Sequence, residues 1–254
     1  MGRLRFGTLL EKEVRDLLRS RKFLIGLAVF VFFSLLSPLS AKYMPEVMKS
    51  FVSGQGIIFE LPTPTAADSL AQFLKNLSQI GVFVMIFLVM GIVSAEKDQG
   101  TAAFLMVKPV LRSSFILAKY LVLWIFLAVL MAASFLVCAA YTYLLFGDVP
   151  LGSLAMLSFM LYIYMGSILS ITILMSTLFA SQAAAGISSI AIWLLLSVLA
   201  RVRGIGIYLN GSLMSEAQAV IHAMTPDIRP FIGALVLSVL CAGLAVLSFR
   251  RWEA

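Results

Sequence analysis

One histidine, two cysteines and a scatter of hydroxyls are the stock from which this 254-residue chain could build a reactive centre. His222 is the lone imidazole, so a nucleophile–base pair of the Ser–His or Cys–His kind has a single place to form. Cys138 and Cys241 sit inside apolar runs, where a free thiol packs as a small hydrophobe. Gly166–Ser167 lacks the flanking residues of a nucleophile elbow, and no H-E-x-x-H is present. Gly54–Gln55–Gly56 and Gly204–Ile205–Gly206 lack the third glycine and the strand that a dinucleotide loop requires. No G-x-x-x-x-G-K-[ST] occurs either, so the chain has no loop to cradle phosphates for its own ATP hydrolysis. His222 and Met224, with Met44 and Met48, carry imidazole and thioether groups that suit Cu(I). Thirteen methionines in a chain this apolar are better read as gap-filling side chains. The expectation is no catalytic residue, no metal and no cofactor bound by this chain.

The elements that must position any site are membrane helices. The chain is 61% hydrophobic and only 12% charged, against about 25% charged in an ordinary soluble domain. No Asp, Glu, Lys or Arg occurs between Tyr120 and Gly147, or between Val149 and Ala200. Apolar runs of about 20 residues indicate membrane-spanning helices. That excludes a soluble enzyme, a disordered tail and a disulfide scaffold. The pattern predicts an all-α integral membrane protein with six spans, at about 23–40, 77–95, 115–146, 151–179, 183–200 and 230–249. Residues 1–22 form a separate amphipathic piece and 23–254 a single transmembrane domain. The stretch 149–200 must hold two spans, because one helix of that length far exceeds a bilayer core of about 30 Å. Only small polar residues, Ser176, Thr177, Ser181 and Gln182, mark the break.

The formal charge of +7 reads as topology rather than as a nucleic-acid surface. With the amino terminus inside, thirteen of the nineteen basic residues fall in inner segments, which places both termini in the cytoplasm at the cell membrane. No ionisable residue occupies the centre of a span, which argues against ion relays and voltage sensing. Small and hydroxyl residues such as Ser134, Ser158, Gly166, Ser170, Ser176 and Gly186 permit close helix packing.

Two inner segments exceed what a connection needs. In 4–22, Phe6, Leu10, Val14, Leu17 and Leu18 recur at helical spacing beside charged faces, which predicts an interfacial helix. In 96–120, a polar turn (Glu96 to Gly100) precedes a short helix-like piece, Thr101–Val107, with Thr101 as its cap, and Pro109 breaks it. Ala102, Phe104, Leu105 and Met106 make an apolar patch that wants a partner surface. On the outer side, Thr65 and Asp68 resemble a capping box for a helix running through Leu70, Phe73, Leu74 and Leu77. Leu213, Ala217, Val220, Ile221 and Met224 share one helical face, and Thr225–Pro226 reads as the start of the next helix.

Glu96, Gly100–Thr101, Pro109–Val110, Arg112 and Lys119, together with the amino-terminal LLEKEVRDLLRSRKFL, resemble the permease subunits of type-2 ABC exporters. The resemblance implies a half-transporter in which 96–112 contains a coupling helix docked on a cytoplasmic ATPase. Gly100, Thr101, Phe104 and Leu105 would lie at the contact, with Glu96 and Arg112 as polar anchors on either side. It also implies a second permease copy or paralogue, ATP and Mg on the partner ATP-binding subunit, alternating access, and re-entrant helices before the last span. Two rival readings are a membrane anchor or scaffold for a cytoplasmic complex, which would use the same apolar patch, and an intramembrane enzyme, for which no constellation is evident.

Overall fold

The computed structural model describes residues 6–53, 63–100, 112–202, 204–222 and 224–250, and among these every regular element is a helix. Helix α1 is Phe6–Arg19 and α2 is Lys22–Ser53. The next rod is composite: α3 (Ala66–Asn76), a π-helical turn (Leu77–Gly81), α4 (Val82–Val89) and α5 (Ser94–Asp98). Then come α6 (Arg112–Phe146), α7 (Leu151–Leu178) and α8 (Gln182–Leu199). Two short 3-10 turns, Gly206–Tyr208 and Asn210–Ser212, lead into α9 (Leu213–Ile221), and α10 is Arg229–Arg250. Among the described residues, six rods are long and apolar enough to cross a bilayer: Lys22–Val47, Ala66–Asp98, Arg112–Phe146, Leu151–Leu178, Gln182–Leu199 and Arg229–Arg250. The protein is a multi-pass, all-α membrane protein.

Helix α7 is the hub. Its most apolar window is 89% buried, against 22% for α8 and for α10. A helix surrounded by others must hide its polar groups, and α7 does so locally. Ser167, Ser170, Thr172 and Thr177 return their hydroxyls to carbonyls three or four residues back, at 2.7–2.9 Å. Gly166 clears room for the Trp124 ring, since a Cβ there would fall closer than 3.0 Å to it. Tyr120 of α6 ties three rods together, bonding Ser170 at 2.6 Å and donating to the Ser238 carbonyl at 3.1 Å. Helix α10 shows the membrane arrangement plainly. Its small residues Ala234, Ser238, Cys241 and Ala245 face inward, and Val236, Val239, Leu240 and Leu244 are exposed. In lipid there is no drive to bury large apolar groups, and small ones allow close approach.

The elements depart from sequence expectation in the first rod and before the last one. The first rod runs beyond Ser40 to Ser53, through Pro38 and Pro45. Neighbouring helices hold such a rod together, and here Asn76 Nδ2 donates to Ser37 Oγ at 2.9 Å. The second rod, by contrast, starts at Ala66 as its capping box predicts: the Asp68 carboxylate accepts both the N–H and the hydroxyl of Thr65 at 2.8 Å, and the helix continues into the span. The last helix starts at Arg229 rather than at Pro226. Asp227 Oδ1 caps it by accepting the Arg229 N–H at 3.0 Å, and the Asp227 N–H is in turn held by Glu216 at 2.8 Å. Met224 lies outside α9 and is exposed, while Leu213, Ala217 and Val220 of the same expected face are buried. Helix α7 ends at Leu178 and α8 begins at Gln182, among the small polar residues that marked this break.

Candidate functional site

At one end of the bundle, four charged side chains from three segments form a closed ionic knot. Lys119, on the third turn of α6, is 1% exposed. Its ammonium donates to Glu13 of α1 and to Glu96 of α5, both at 2.8 Å. Lys12 closes the ring on the solvent side, at 3.1 Å from Glu13, 3.5 Å from Glu96 and 3.4 Å from Asp16. The Lys119 ammonium also lies 4.8 Å from the Phe115 ring centroid. Two ammoniums meet two buried or half-buried carboxylates, so the core of the knot is neutral. A charge this deep persists only when paired and hydrogen-bonded. Burial alone would pull the Lys12 pKa down. Glu13, Glu96 and Asp16 together outweigh that and hold it above its ordinary value. A folded pKa raised above the unfolded one means that the Lys12 contribution is complete below the unfolded value. It is lost only as pH rises through the folded value, in the strongly alkaline range.

The local sequence explains the convergence. Leu9, Glu13 and Leu17 recur every four residues, so α1 turns them toward the bundle, with Leu9 and Glu13 buried and Leu17 partly so. Phe6, Val14 and Leu18 are exposed and Leu10 is half-buried. The expected stripe therefore splits: Leu17 packs on the core, and Phe6, Leu10 and Val14 lie on the neighbouring, outward face. Glu96 is helical rather than part of a turn, and this aims it at Lys119. The helix ends at Asp98 with Gln99 as its cap, and Gly100 adopts φ +69°, the left-handed conformation that glycine accepts readily at a helix C-terminus. Arg112 Nη1 donates to the Arg250 carbonyl at 2.8 Å, which joins the start of α6 to the end of α10. Thr101, Phe104, Leu105 and Pro109 lie outside the described residues. Glu96 and Arg112, the two ends of that segment, are thus both fastened to the bundle.

A second fastening lies behind the knot. Between α4 and α5 the backbone turns at Met90–Val93 and the helical ladder is interrupted. Ser176 Oγ of α7 accepts the N–H groups of Val93 and Ser94 at 3.1 and 3.0 Å. Lys97 donates its ammonium to the Thr177 carbonyl, at the α7 C-terminus where a cation is favourable. Gly91 lets the Gln182 side chain of α8 lie against the turn, since a Cβ there would stand 2.6 Å from Gln182 Oε1 and push that side chain aside. Ser176→Ala is expected to leave two buried donors without their acceptor, at about 1–3 kcal/mol for each. Thermal unfolding in detergent should show a drop well beyond that of Ser188→Ala, whose hydroxyl only returns to the carbonyls of Ala184 and Ala185.

Sequence reasoning missed Glu13, and it named Lys119 as part of the family resemblance, without a partner in the fold. The available signal was a glutamate midway between Leu9 and Leu17 at the same spacing, and a lysine inside an otherwise apolar run. His222 caps the end of α9. Among the described residues, no three His, Cys, Asp or Glu side chains gather to hold a metal.

The sequence family described as "ABC-2 family transporter protein" matches residues 8–251. The chain is also similar to the "Uncharacterized transmembrane protein YxlG" of Bacillus subtilis (strain 168), at 27% identity over 255 residues, covering 96% of this chain and 97% of that protein. A six-rod apolar bundle with a polar knot at one end, matched along nearly its whole length, admits one assignment: the chain belongs to the ABC-2 family of transporter proteins, as a membrane subunit.

Proposed function

We propose that the chain is the permease subunit of an ATP-driven exporter, working as a pair of permease copies or paralogues with two copies of a separate ATP-binding subunit. The cytoplasmic face is the end that carries the ionic knot, and both termini lie there. The segment 96–112 carries the coupling to the ATPase, with Gly100, Thr101, Phe104 and Leu105 at the contact. The observation that most supports this reading is the fastening of both ends of that segment. Glu96 is held by Lys119 and Lys12, and Arg112 by the Arg250 carbonyl. A push delivered between two fixed points moves α5, α6 and α10 together rather than a slack loop. Helix α1, paired to the same knot through Glu13, lies in the membrane interface with Phe6, Leu10, Val14 and Leu18 toward lipid, as its exposed apolar stripe suits.

The test uses two variants. Gly100→Pro is incompatible with φ +69°, because proline holds φ near −65°. Phe104→Asp places a charge in the expected apolar contact. Both are expected to insert normally and to lose most co-purification of the ATP-binding subunit. Undiminished co-purification together with normal substrate-linked ATPase activity in both would overturn the assignment.

A further inference from the structure

Toward the opposite end from the knot, a cavity of about 1030 Å³ opens between the second rod, α7, α8 and α9. That volume is at the upper end of what small-molecule sites enclose. Its composition is uneven. Phe83, Tyr164 and Trp193 form a fixed aromatic wall: the Trp193 indole donates to the Tyr164 hydroxyl at 2.8 Å, and the Phe83 ring meets Trp193 edge-on at 5.1 Å. Lys75 and Arg201 also line the cavity, and among the described residues no carboxylate does. Lys12, Lys97 and Lys119 are consumed by carboxylates or carbonyls, whereas Lys75 and Arg201 are exposed and make no ion pair with a described residue. The acidic groups on adjoining elements are turned to other work. Glu216 of α9 holds the Asp227 N–H, and Asp68 of α3 caps its own helix at Thr65. The wall also contains the π-helical turn, through Ser78 and Gln79. Single π turns inside α-helices occur frequently at functional sites.

From this asymmetry we infer that the cavity binds an amphiphile with an anionic headgroup, its charge at Lys75 and Arg201 and its apolar part along Phe83 and Trp193. Placed on the permease reading, which this deepens, the cargo class is an anionic amphiphile. Exposed cations that pair with no described residue attract a negative headgroup, and the aromatic wall of the same cavity offers an apolar surface for a chain or ring.

The test needs only the purified full chain in a neutral detergent. The probe is a lysophosphatidylglycerol with a brominated acyl chain, which quenches tryptophan fluorescence on contact. The comparator is the zwitterionic lysophosphatidylcholine with the same chain. The anionic probe is expected to half-saturate quenching at a concentration at least tenfold lower, with the saturable component lost in Trp193→Phe. The preference should vanish in Lys75→Gln/Arg201→Gln, where both changes lie at exposed positions. It should persist in Arg19→Gln/Arg21→Gln, which removes two exposed cations near the knot. Equal half-saturation for the two probes overturns the inference. So does a preference that survives loss of Lys75 and Arg201, or one that falls equally on loss of Arg19 and Arg21. No ATP-binding subunit takes part, so a negative result here leaves the co-purification test standing, and a failed co-purification leaves this one standing.

Discussion

Replacing Lys119 by methionine is expected to destabilise the fold by about 3–5 kcal/mol, the cost of removing one partner from a buried ion pair. Methionine fills similar space, so little of the loss comes from a cavity. It comes from Glu13, 6% exposed, and Glu96, which both lose the ammonium they share at 2.8 Å. Lys12 cannot take over, since its side chain is 33% exposed and already divided among three carboxylates. Lys12→Ala should accordingly cost only about 1 kcal/mol or less, as partly solvated pairs do. Glu13→Gln alone should be intermediate. Glu13→Gln combined with Lys119→Met should lose less than the two single changes added together, because each removes what the other was paired with. Thermal or denaturant unfolding in one detergent gives all four values. Strict additivity would show that the knot is not a coupled unit. The same series should release α1, read as faster labelling of a cysteine introduced at Leu9, which is 4% exposed in the intact protein.

The local features were legible in the sequence and the convergent ones were not. The cap at Thr65 and Asp68 depends on residues three apart, and the spacing suffices to see it. That a break interrupts 149–200 follows from length, since one bilayer cannot accommodate 52 residues of helix at about 1.5 Å each, and its place follows from the small polar residues around 176–182. The motif singled out Gly100, Glu96 and Arg112 as residues flanking a contact, but neither the left-handed backbone at Gly100 nor the bonds of Glu96 to Lys119 and of Arg112 to the Arg250 carbonyl could be read from it. Glu13, Lys119 and Ser176 are a different case. Glu13 and Lys119 are 106 residues apart, and Ser176 reaches Val93 across 83. A serine in an apolar span reads as a small packing residue until the backbone it serves is known. Asn210 belongs with them: it is buried in a 3-10 turn, and its amide donates to Ser167 Oγ at 2.9 Å. The cavity is legible only after folding, because Lys75 comes from the second rod and Arg201 from the turn after α8, and neither sits in a motif.

The last of the large effects should come from the smallest change. Gly233→Ala lies inside α10, where alanine ordinarily favours the helix over glycine by about 0.5–1 kcal/mol. Here the sign is expected to reverse. A Cβ on Gly233 would fall closer than 3.0 Å to the Tyr208 carbonyl, which is backbone and cannot swing aside as a side chain would. Tyr208 ends the first 3-10 turn, and that turn is pinned from the other side as well: Gly206 has no room for a Cβ against the Ala200 carbonyl. Pressure from Gly233 therefore passes into residues 206–212 rather than being relieved locally. Overpacking of this kind costs about 1–3 kcal/mol, so the net change should be destabilising. Gly243→Ala on the same helix is the control, since nothing lies within 4 Å of its Cβ, and it should be neutral or mildly stabilising. Because Gly211 and Ser212 line the cavity, the Gly233 variant should also weaken binding of the brominated lysophosphatidylglycerol, while the Gly243 variant leaves it intact. Equal melting temperatures for the two variants would mean that the segment before the last rod gives way to α10 without cost. The cavity wall would then rest on α8 and α9 instead.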